Sequence, residues 1–231
     1  MTDTIDADVA AVCKGVRVPP SPFLNETRIR RINEARYEGD EIAGAMRVVT
    51  ASDRVLEMGA GLGVVGAVMA LNCKPERIVS FEANPNMIPH IRALYDLNNL
   101  TDRIEVRNEV LISAPDRPAE MTFYLRNSFL GSSLIDVENR ATRPVAIPTA
   151  DFAAVRADLN PTVLVLDIEG GELDLLRHAD LTGIRAIVIE FHPEAYGREG
   201  MQECKQILRD AGFVRHDDIS TRTVWTCSRD A

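Results

Sequence analysis

The sequence predicts one α/β domain with a mostly parallel, seven-stranded sheet and helices on both faces. Three observations support this fold class. Apolar strand segments alternate with helical segments between residues 54 and 211. A glycine-rich turn joins the first strand to the next helix, as in sheets that bind nucleotides. Two short apolar segments, 213–216 and 223–227, close the chain, and we interpret them as an antiparallel pair.

The beginning of the chain differs in character from the rest. We interpret residues 1–25 as an N-terminal arm, because the Pro19–Pro22 stretch favours extended backbone. The single domain then covers residues 26–231. Residues 26–50 show helical spacing of apolar positions, although Gly39 and Gly44 weaken the case for one continuous helix.

The expected elements of the domain follow from runs of apolar residues and from capping signals. Five parallel strands are expected at 54–58, 77–81, 103–107, 162–168 and 184–191. Helices are expected at 63–72, 84–98, 149–159, 170–179 and 201–211, with Asn84 as an N-cap before Pro85. Residues 113–147 are rich in proline, serine and glycine, so we interpret them as an insertion or hairpin region with short strands at 121–125 and 145–147.

Composition and charge narrow the class of protein. The chain has 231 residues, of which 45% are hydrophobic and 26% charged, as in ordinary globular domains. A net charge of -9 disfavours nonspecific binding to nucleic acid, and the longest apolar run is too short to span a bilayer. The four cysteines form no C-x-x-C pair, which indicates reduced thiols. We expect a cytoplasmic protein without nucleic-acid or membrane partners, and the sequence does not predict its oligomeric state.

The strand–turn–helix segment VLEMGAGLGVVG is the first candidate binding site. Its glycines permit a tight turn and close approach of a ligand, and the following helix offers free N–H groups. Gly61, Gly63 and Gly66 also satisfy the dinucleotide pattern G-x-G-x-x-G, so an NAD-dependent oxidoreductase is an alternative. Glu82, at the end of the second strand, suits NAD or any other nucleoside cofactor, because its carboxylate can accept both ribose hydroxyls. Glu57 favours a cofactor with a cationic methionine group over NAD, because its carboxylate would repel the pyrophosphate of NAD.

Ionisable residues follow the fourth and fifth strands. Asp167 and Glu169 end one strand, and Glu190 and His192 end its neighbour. The alternation of side chains along a strand predicts that each pair points the same way, towards the edge where open α/β sheets bind ligands. We take His192 as the preferred general base, because imidazole is neutral near pH 7.

Other interpretations of these residues stay open. Asp167 or Glu169 is the second choice as base, or orients the substrate. Negative charge after the fourth strand also stabilises a helix N-terminus without any function. A metal ion held by these groups is a further alternative, but oxygen-rich spacing alone is weak evidence and we assign no metal ligand.

At these residues the chain resembles the FkbM family of methyltransferases. The matching stretches, over about residues 36–195, are Arg36-Tyr37-Glu38, VLEMGAGLGVVG, SFEANP, NSFLGSSL, the segment 148–152, LDIEGGELDLL and IVIEFHP. The resemblance implies a Rossmann-like class I methyltransferase fold, S-adenosylmethionine as methyl donor, and O-methylation of sugars or other hydroxylated small molecules. It implies cofactor contacts at Glu57, Gly59, Gly61, Gly63 and Glu82, with adenine near Asn108 and Glu109. We include Ala60, Ala83 and Asp167 among the cofactor-binding candidates.

Three hypotheses about function follow. The first is an O-methyltransferase for a small hydroxylated molecule, whose polar loop residues Asn127, Ser128, Ser132 and Ser133 bind the substrate. These four residues fit an ordinary Ser/Gly turn equally well. The second hypothesis is an NAD-dependent oxidoreductase. The third is a non-catalytic binding module that has kept the fold, since a fold does not determine an activity.

Overall fold

The computed structural model describes residues 8–126 and 142–230. Its strands are β1 (Ala11–Cys13), β2 (Val16–Val18), β3 (Arg54–Met58), β4 (Arg77–Phe81), β5 (Ile104–Arg107), β6 (Val110–Ile112), β7 (Glu120–Arg126), β8 (Thr142–Asp151), β9 (Val163–Leu166), β10 (Ala186–Glu190), β11 (Val214–Arg215) and β12 (Val224–Ser228). Its helices are α1 (Glu26–Asn33), α2 (Gly39–Val48), α3 (Val64–Val68), α4 (Ile88–Leu97), α5 (Phe152–Leu159), α6 (Glu172–His178) and α7 (Pro193–Asp210), and a π-helical turn (Met69–Cys73) continues α3.

A seven-stranded sheet with the order β11-β12-β10-β9-β3-β4-β5 forms the centre of the fold. The five strands from β10 to β5 are parallel, whereas β12 lies antiparallel to both β10 and β11. The predicted α/β fold class is therefore confirmed, including the antiparallel pair that closes the chain. The strand order reverses between β3 and β9, so the carboxyl ends of these two strands border the crevice in which such sheets bind ligands.

The two faces of the sheet bury separate cores. Val55, Ile78 and Val188 face one core, which α1 to α4 cover, and none of the three is exposed to solvent. Leu56 and Ile187, from alternate positions of the same strands, face the other core, which α5 to α7 cover. Burial on both faces explains why the central strands are apolar at every position rather than at every second one. Within the described ranges, no helix is long and apolar enough to cross a membrane.

The N-terminal segment is more ordered than the sequence analysis expected. Within the arm interpreted as residues 1–25, the described part from residue 8 onward contains an antiparallel hairpin of β1 and β2, which puts Cys13 and Val16 in the core beneath the helices. Its Arg17 N–H donates to Asn98 Oδ1 over 2.9 Å. Each of these strands has only three residues, so the alternation of buried and exposed positions is too short to distinguish a strand from an irregular segment by sequence. Residues 26–50 form two helices, and left-handed backbone at Glu38 (φ 46°) precedes the second one.

The insertion region contains a small second sheet. Strands β7 and β8 form a long antiparallel hairpin, and β6 joins β8 in parallel. Strand β8 extends to Asp151, so the helix expected from residue 149 begins only at Phe152, where the Asp151 carboxylate accepts the Ala153 N–H over 2.8 Å. The helix expected at residue 84 begins at Ile88, because Asn84 instead closes a turn by accepting the Asn86 N–H.

Helix α7 is longer than the sequence predicted. We expected a helix from residue 201, but the helical segment begins at Pro193, with only Phe191 and His192 between it and the end of β10. A kink at Gly197 (φ 76°, ψ 173°) divides it. The first part carries Tyr196 back towards the strand ends, where its hydroxyl accepts the His192 N–H over 2.7 Å. This contact helps to fix the end of β10 beside the candidate site.

Candidate active site

The turn between β3 and α3 requires glycine at particular positions. Gly59 has φ 87°, and a Cβ there would lie 1.7 Å from the Asp167 carbonyl oxygen. Gly63 has φ 79°, and a Cβ there would lie 2.9 Å from Ile91 Cγ2. Side chains are excluded by backbone angle and by space together. The turn can therefore approach the end of β9 closely, and Gly61 stays open to the cleft beside it.

Glu82 holds the glycine turn against the end of β4. Its two carboxylate oxygens accept the Gly61 N–H over 2.8 Å and the Asn84 N–H over 2.7 Å. Burial raises the pKa of Glu82 to about 7. The Asn108 side chain fixes the same segment by donating to the carbonyl oxygens of Glu82 and Ala83. Because a carboxylate can accept about four hydrogen bonds, Glu82 keeps acceptor capacity for a ligand.

A cleft runs along the carboxyl ends of the parallel strands β4, β3 and β9. The small sheet supplies one wall, with Leu111, Met121 and Phe123 facing the cleft. Of the predicted site residues, those that line the cleft are Gly59, Gly61, Glu82, Ala83, Glu109, Asp167 and Glu169. The sequence analysis interpreted residues 113–147 as an insertion or hairpin region but did not place it beside the cleft, and it did not predict β6 as a strand.

Four other predicted residues lie behind this lining. Glu57 is 1% exposed, accepts a hydrogen bond from Ser80 Oγ and lies against Gly66 of α3. Burial raises the pKa of Glu57 to about 7. Ala60, Gly63 and Asn108 likewise contact backbone or core rather than the cleft. The structure thus places these residues as supports of the turn and of the β4 end.

At the other end of the cleft, Glu172 organises a cluster around His192. Glu172 is fully buried, and its Oε1 contacts His192 Nδ1 over 2.9 Å. The same oxygen accepts the Ile168 and Gly170 N–H groups over 3.3 and 3.2 Å. The carboxylate thereby joins the loop after β9 to the end of β10.

The opposite ring nitrogen of His192 faces two carboxylates. Nε2 lies 3.6 Å from Asp167 Oδ1 and 3.6 Å from Glu169 Oε2. The prediction that Asp167 and Glu169 share one direction relied on continued strand conformation, but β9 ends at Leu166 and Glu169 has left-handed backbone with φ 52°. A tight loop, rather than strand alternation, brings both side chains to the histidine.

His192 was chosen as general base because imidazole is ordinarily neutral near pH 7, and its surroundings in the structure contradict that reason. Burial by itself would lower the pKa of His192, but the hydrogen bond to Glu172 and the charges of Glu172, Asp167 and Glu169 outweigh it and raise the pKa to about 10. The imidazole is therefore charged at neutral pH, and it has no lone pair free to accept a proton. The neutral imidazole assumed from sequence is not the form that this environment favours.

A second cleft, lined mainly by polar groups, adjoins this cluster. It is lined by Arg31, Ala35, Arg36, Glu38, Gly39, Asp40, Glu41, Glu190, Thr223 and Val224. Glu38 lines both clefts. Burial raises the pKa of Glu38 and of Glu190 to about 8, and burial together with the Glu38 charge raises the pKa of Asp167.

The sequence analysis missed Glu38 and Glu41 as site residues. Their position before and within α2 is far along the chain from the strand ends that they face. The Arg36-Tyr37-Glu38 motif was the available signal. The substrate candidates Asn127, Ser128, Ser132 and Ser133 lie outside the described residues.

The first cleft fits S-adenosylmethionine by the chemistry of its lining. The apolar wall suits a purine base, and Glu82 suits the two ribose hydroxyls. At the far end, the positive charges of the sulfonium and the amino group would lower the raised pKa values of Glu38 and Asp167, so that both carboxyl groups ionise when the cofactor binds. The glycine positions that exclude a Cβ leave backbone, rather than side chains, at the centre of the cleft.

Comparison with known proteins agrees with this chemistry. A family model described as Methyltransferase FkbM domain matches residues 57–215. The chain belongs to the FkbM methyltransferase family. It is an S-adenosylmethionine-dependent methyltransferase, and this membership replaces both the NAD-dependent oxidoreductase and the non-catalytic module considered from sequence. No curated protein matches the chain.

Solved structures resemble this FkbM-family methyltransferase only distantly. One is a ribosomal protein L11 methylase from Lactobacillus delbrueckii (12% identity, 86% of this chain and 80% of that chain covered, TM-score 0.49). Another is a precorrin-6y C5,15-methyltransferase from Geobacter metallireducens (13% identity, 84% of this chain and 87% of that chain covered, TM-score 0.48). A Streptococcus pneumoniae protein described as a tRNA (m1A22) methyltransferase was solved with S-adenosyl-L-methionine (11% identity, 81% of this chain and 69% of that chain covered, TM-score 0.45).

Proposed function

We propose that this methyltransferase methylates a hydroxyl oxygen of a small polar molecule, such as a sugar. The observation that carries the proposal is the second cleft, which meets the cofactor cleft at Glu38. Its lining is dominated by carboxylates and arginines, and these groups match a ligand rich in hydroxyls better than an apolar one. A net charge of -9 supports a small acceptor over a nucleic acid.

The chain must orient the acceptor and take up its proton. Bound S-adenosylmethionine supplies a methyl group on a positively charged sulfur. Glu169 lines the cofactor cleft, and its side chain is 40% exposed, so it is the carboxylate that we propose to accept the hydroxyl proton. The left-handed backbone at Glu169 is a strained conformation of the type that clusters at functional sites. Nε2 of the positively charged His192 lies 3.6 Å from a carboxylate oxygen of Glu169 and of Asp167 and attracts both side chains.

Methyl transfer from labelled S-adenosylmethionine to a panel of acceptors tests the proposal. The panel contains sugars and polyols, amines, and transfer RNA, with the methylated atom assigned by NMR. We expect products only from hydroxylated small molecules. We also expect Glu169→Gln to lower kcat by about 100-fold with unchanged affinity for S-adenosylhomocysteine, while Glu199→Gln on the exposed face of α7 has full activity. Methylation of amine or RNA acceptors alone would contradict the proposal.

Location is a separate proposal. We propose that the protein is cytoplasmic, which is supported by its four cysteines, all within the described residues and all free.

A further inference from the structure

The carboxyl ends of β9 and β10 bring three metal-ligating side chains together. One ligand atom from each of Asp167, Glu190 and His192 lies within 4.8 Å of the other two. Ligands about 2.1 Å from an ion lie about 3.0 Å apart when adjacent and about 4.2 Å apart when opposite in an octahedron. Binding an ion between the three groups therefore requires only a small contraction. We propose that Asp167, Glu190 and His192 form a binding site for a divalent cation.

The environment of His192 is a second observation that supports the same assignment. Its side chain is 9% exposed, and Nδ1 is held by the buried Glu172 over 2.9 Å. Histidines that bind metals characteristically have the second ring nitrogen held by a carboxylate in this way. Nε2, which points into the cluster, has no hydrogen-bond partner within the described residues, and its carboxylate neighbours lie 3.6 Å away. That distance is longer than a hydrogen bond.

The oxygen facing Nε2 is also unpaired. Asp167 Oδ1 is a buried atom without a hydrogen-bond partner in the described residues. A buried acceptor without a partner costs about 1–3 kcal/mol. A cation between Oδ1 and Nε2 would displace the proton from Nε2, as metal binding to histidine requires, and would bind both atoms. Two carboxylates and one imidazole form a mixed oxygen and nitrogen set, which several divalent transition-metal ions can bind, Mn²⁺ among them.

The cation would give the site a chemical role that rests on the proposed function. The cluster lies where the two clefts meet, beside Glu38. A cation held there retains open positions for an acceptor hydroxyl, and coordination lowers the pKa of that hydroxyl. Among acceptors, a molecule with two neighbouring hydroxyls would benefit most, because both oxygens can bind one ion.

Mn²⁺ binding to the chelator-treated protein, without methyl donor or acceptor, tests the site. Electron paramagnetic resonance measures free Mn²⁺, and calorimetry gives the stoichiometry. We expect one ion per chain, and at least a tenfold loss of affinity in both Asp167→Asn and Glu190→Gln. The matched surface variants Asp102→Asn and Glu199→Gln are expected to bind as the wild type does. Glu190 does not line the cofactor cleft, so Glu190→Gln is expected to bind S-adenosylhomocysteine normally, which checks its fold.

Two results would overturn the inference: no saturable Mn²⁺ binding below 1 mM by the folded protein, or equal losses in the surface variants. Loss of the metal site and loss of the proposed function are distinguishable. If chelator-treated protein binds no Mn²⁺ but still methylates hydroxyls, the metal inference is wrong and the function is retained. If Mn²⁺ binds as expected and hydroxylated acceptors are not methylated, the function is wrong and the site is retained.

Discussion

The two edges of the central sheet contain buried carboxylates in opposite environments. At the amino edge, Asp53 accepts hydrogen bonds from Thr162 Oγ1 over 2.7 Å and from Arg185 Nε over 2.8 Å, and also from Thr50. Burial alone would raise the pKa of Asp53, but these bonds outweigh it and lower the pKa. At the carboxyl edge, burial raises the pKa of Glu57 and of Glu82 to about 7.

The difference indicates that the amino edge of the sheet contributes to stability, whereas the carboxyl edge contributes to ligand binding. Asp53 accepts hydrogen bonds from the residues that precede β3, β9 and β10. Arg185 and the two threonines therefore balance its charge within the protein. The acidic groups at the other edge keep acceptor capacity, and burial without a cationic partner holds Glu57 and Glu82 partly protonated at neutral pH. Such groups destabilise the fold and are retained where a ligand supplies the missing charge or hydrogen bonds. The comparison predicts that substitutions at the two edges have opposite consequences.

The largest expected effect is at the amino edge. Asp53→Asn removes the charge that Arg185 faces and leaves buried donors without acceptors. Because breaking a buried pair from one side costs roughly 3 kcal/mol, we expect the free energy of unfolding in urea titrations to fall by about that amount. Affinity for S-adenosylhomocysteine, measured by calorimetry below the melting transition, should not change. A stable variant with weak cofactor binding would contradict the proposed separation.

The carboxyl edge predicts how stability depends on pH. Glu57 and Glu82 keep their protons up to about pH 7 in the folded protein, whereas an unfolded glutamate releases its proton near pH 4.3. Between these values the unfolded chain binds fewer protons, so the free energy of unfolding falls as pH rises. We expect each of the two groups to contribute a loss of about 2.5 kcal/mol between pH 5 and pH 8 in urea titrations.

Glu57→Gln isolates one of these groups. The variant lacks the titrating carboxyl, so its loss of stability between pH 5 and pH 8 should be smaller than that of the wild type. Asp53 does not interfere, because a lowered pKa changes stability only below about pH 4. Parallel pH profiles for wild type and variant would show that Glu57 is not the group responsible.

The part of this picture that was predictable from sequence is the part encoded locally. The glycine turn and Glu82 are separated by one strand–helix unit, and Asp167, Glu169 and His192 directly follow strands, so strand order alone placed them at one edge. The bonds of Asp53 were not predictable, because Thr162 and Arg185 lie 109 and 132 residues away. The charged state of His192 was missed because it depends on how Glu172, the first residue of α6, reaches back across the loop.

A smaller effect is expected for Glu82→Gln. The amide can accept one of the two backbone N–H groups, but its NH₂ group then faces the other donor. We expect affinity for S-adenosylhomocysteine to fall about tenfold, or about 1.4 kcal/mol, in calorimetry. Glu76→Gln is the matched control, because Glu76 is an exposed partner of Arg54 at the amino edge. Equal affinities for the two variants would show that Glu82 does not hold the nucleoside.

The smallest expected effect concerns an exposed pair close to Asp53. Arg47 Nη2 and Asp218 Oδ2 are 3.3 Å apart, and the two side chains are 54% and 59% exposed. The neighbouring residue Val48 accepts a hydrogen bond from Arg185, so this pair adjoins the buried one. Because exposed pairs are screened by water and salt, Asp218→Asn should lower the free energy of unfolding by less than about 0.5 kcal/mol. If urea titrations gave equal costs for Asp218→Asn and Asp53→Asn, burial would not be what makes the amino edge stabilising.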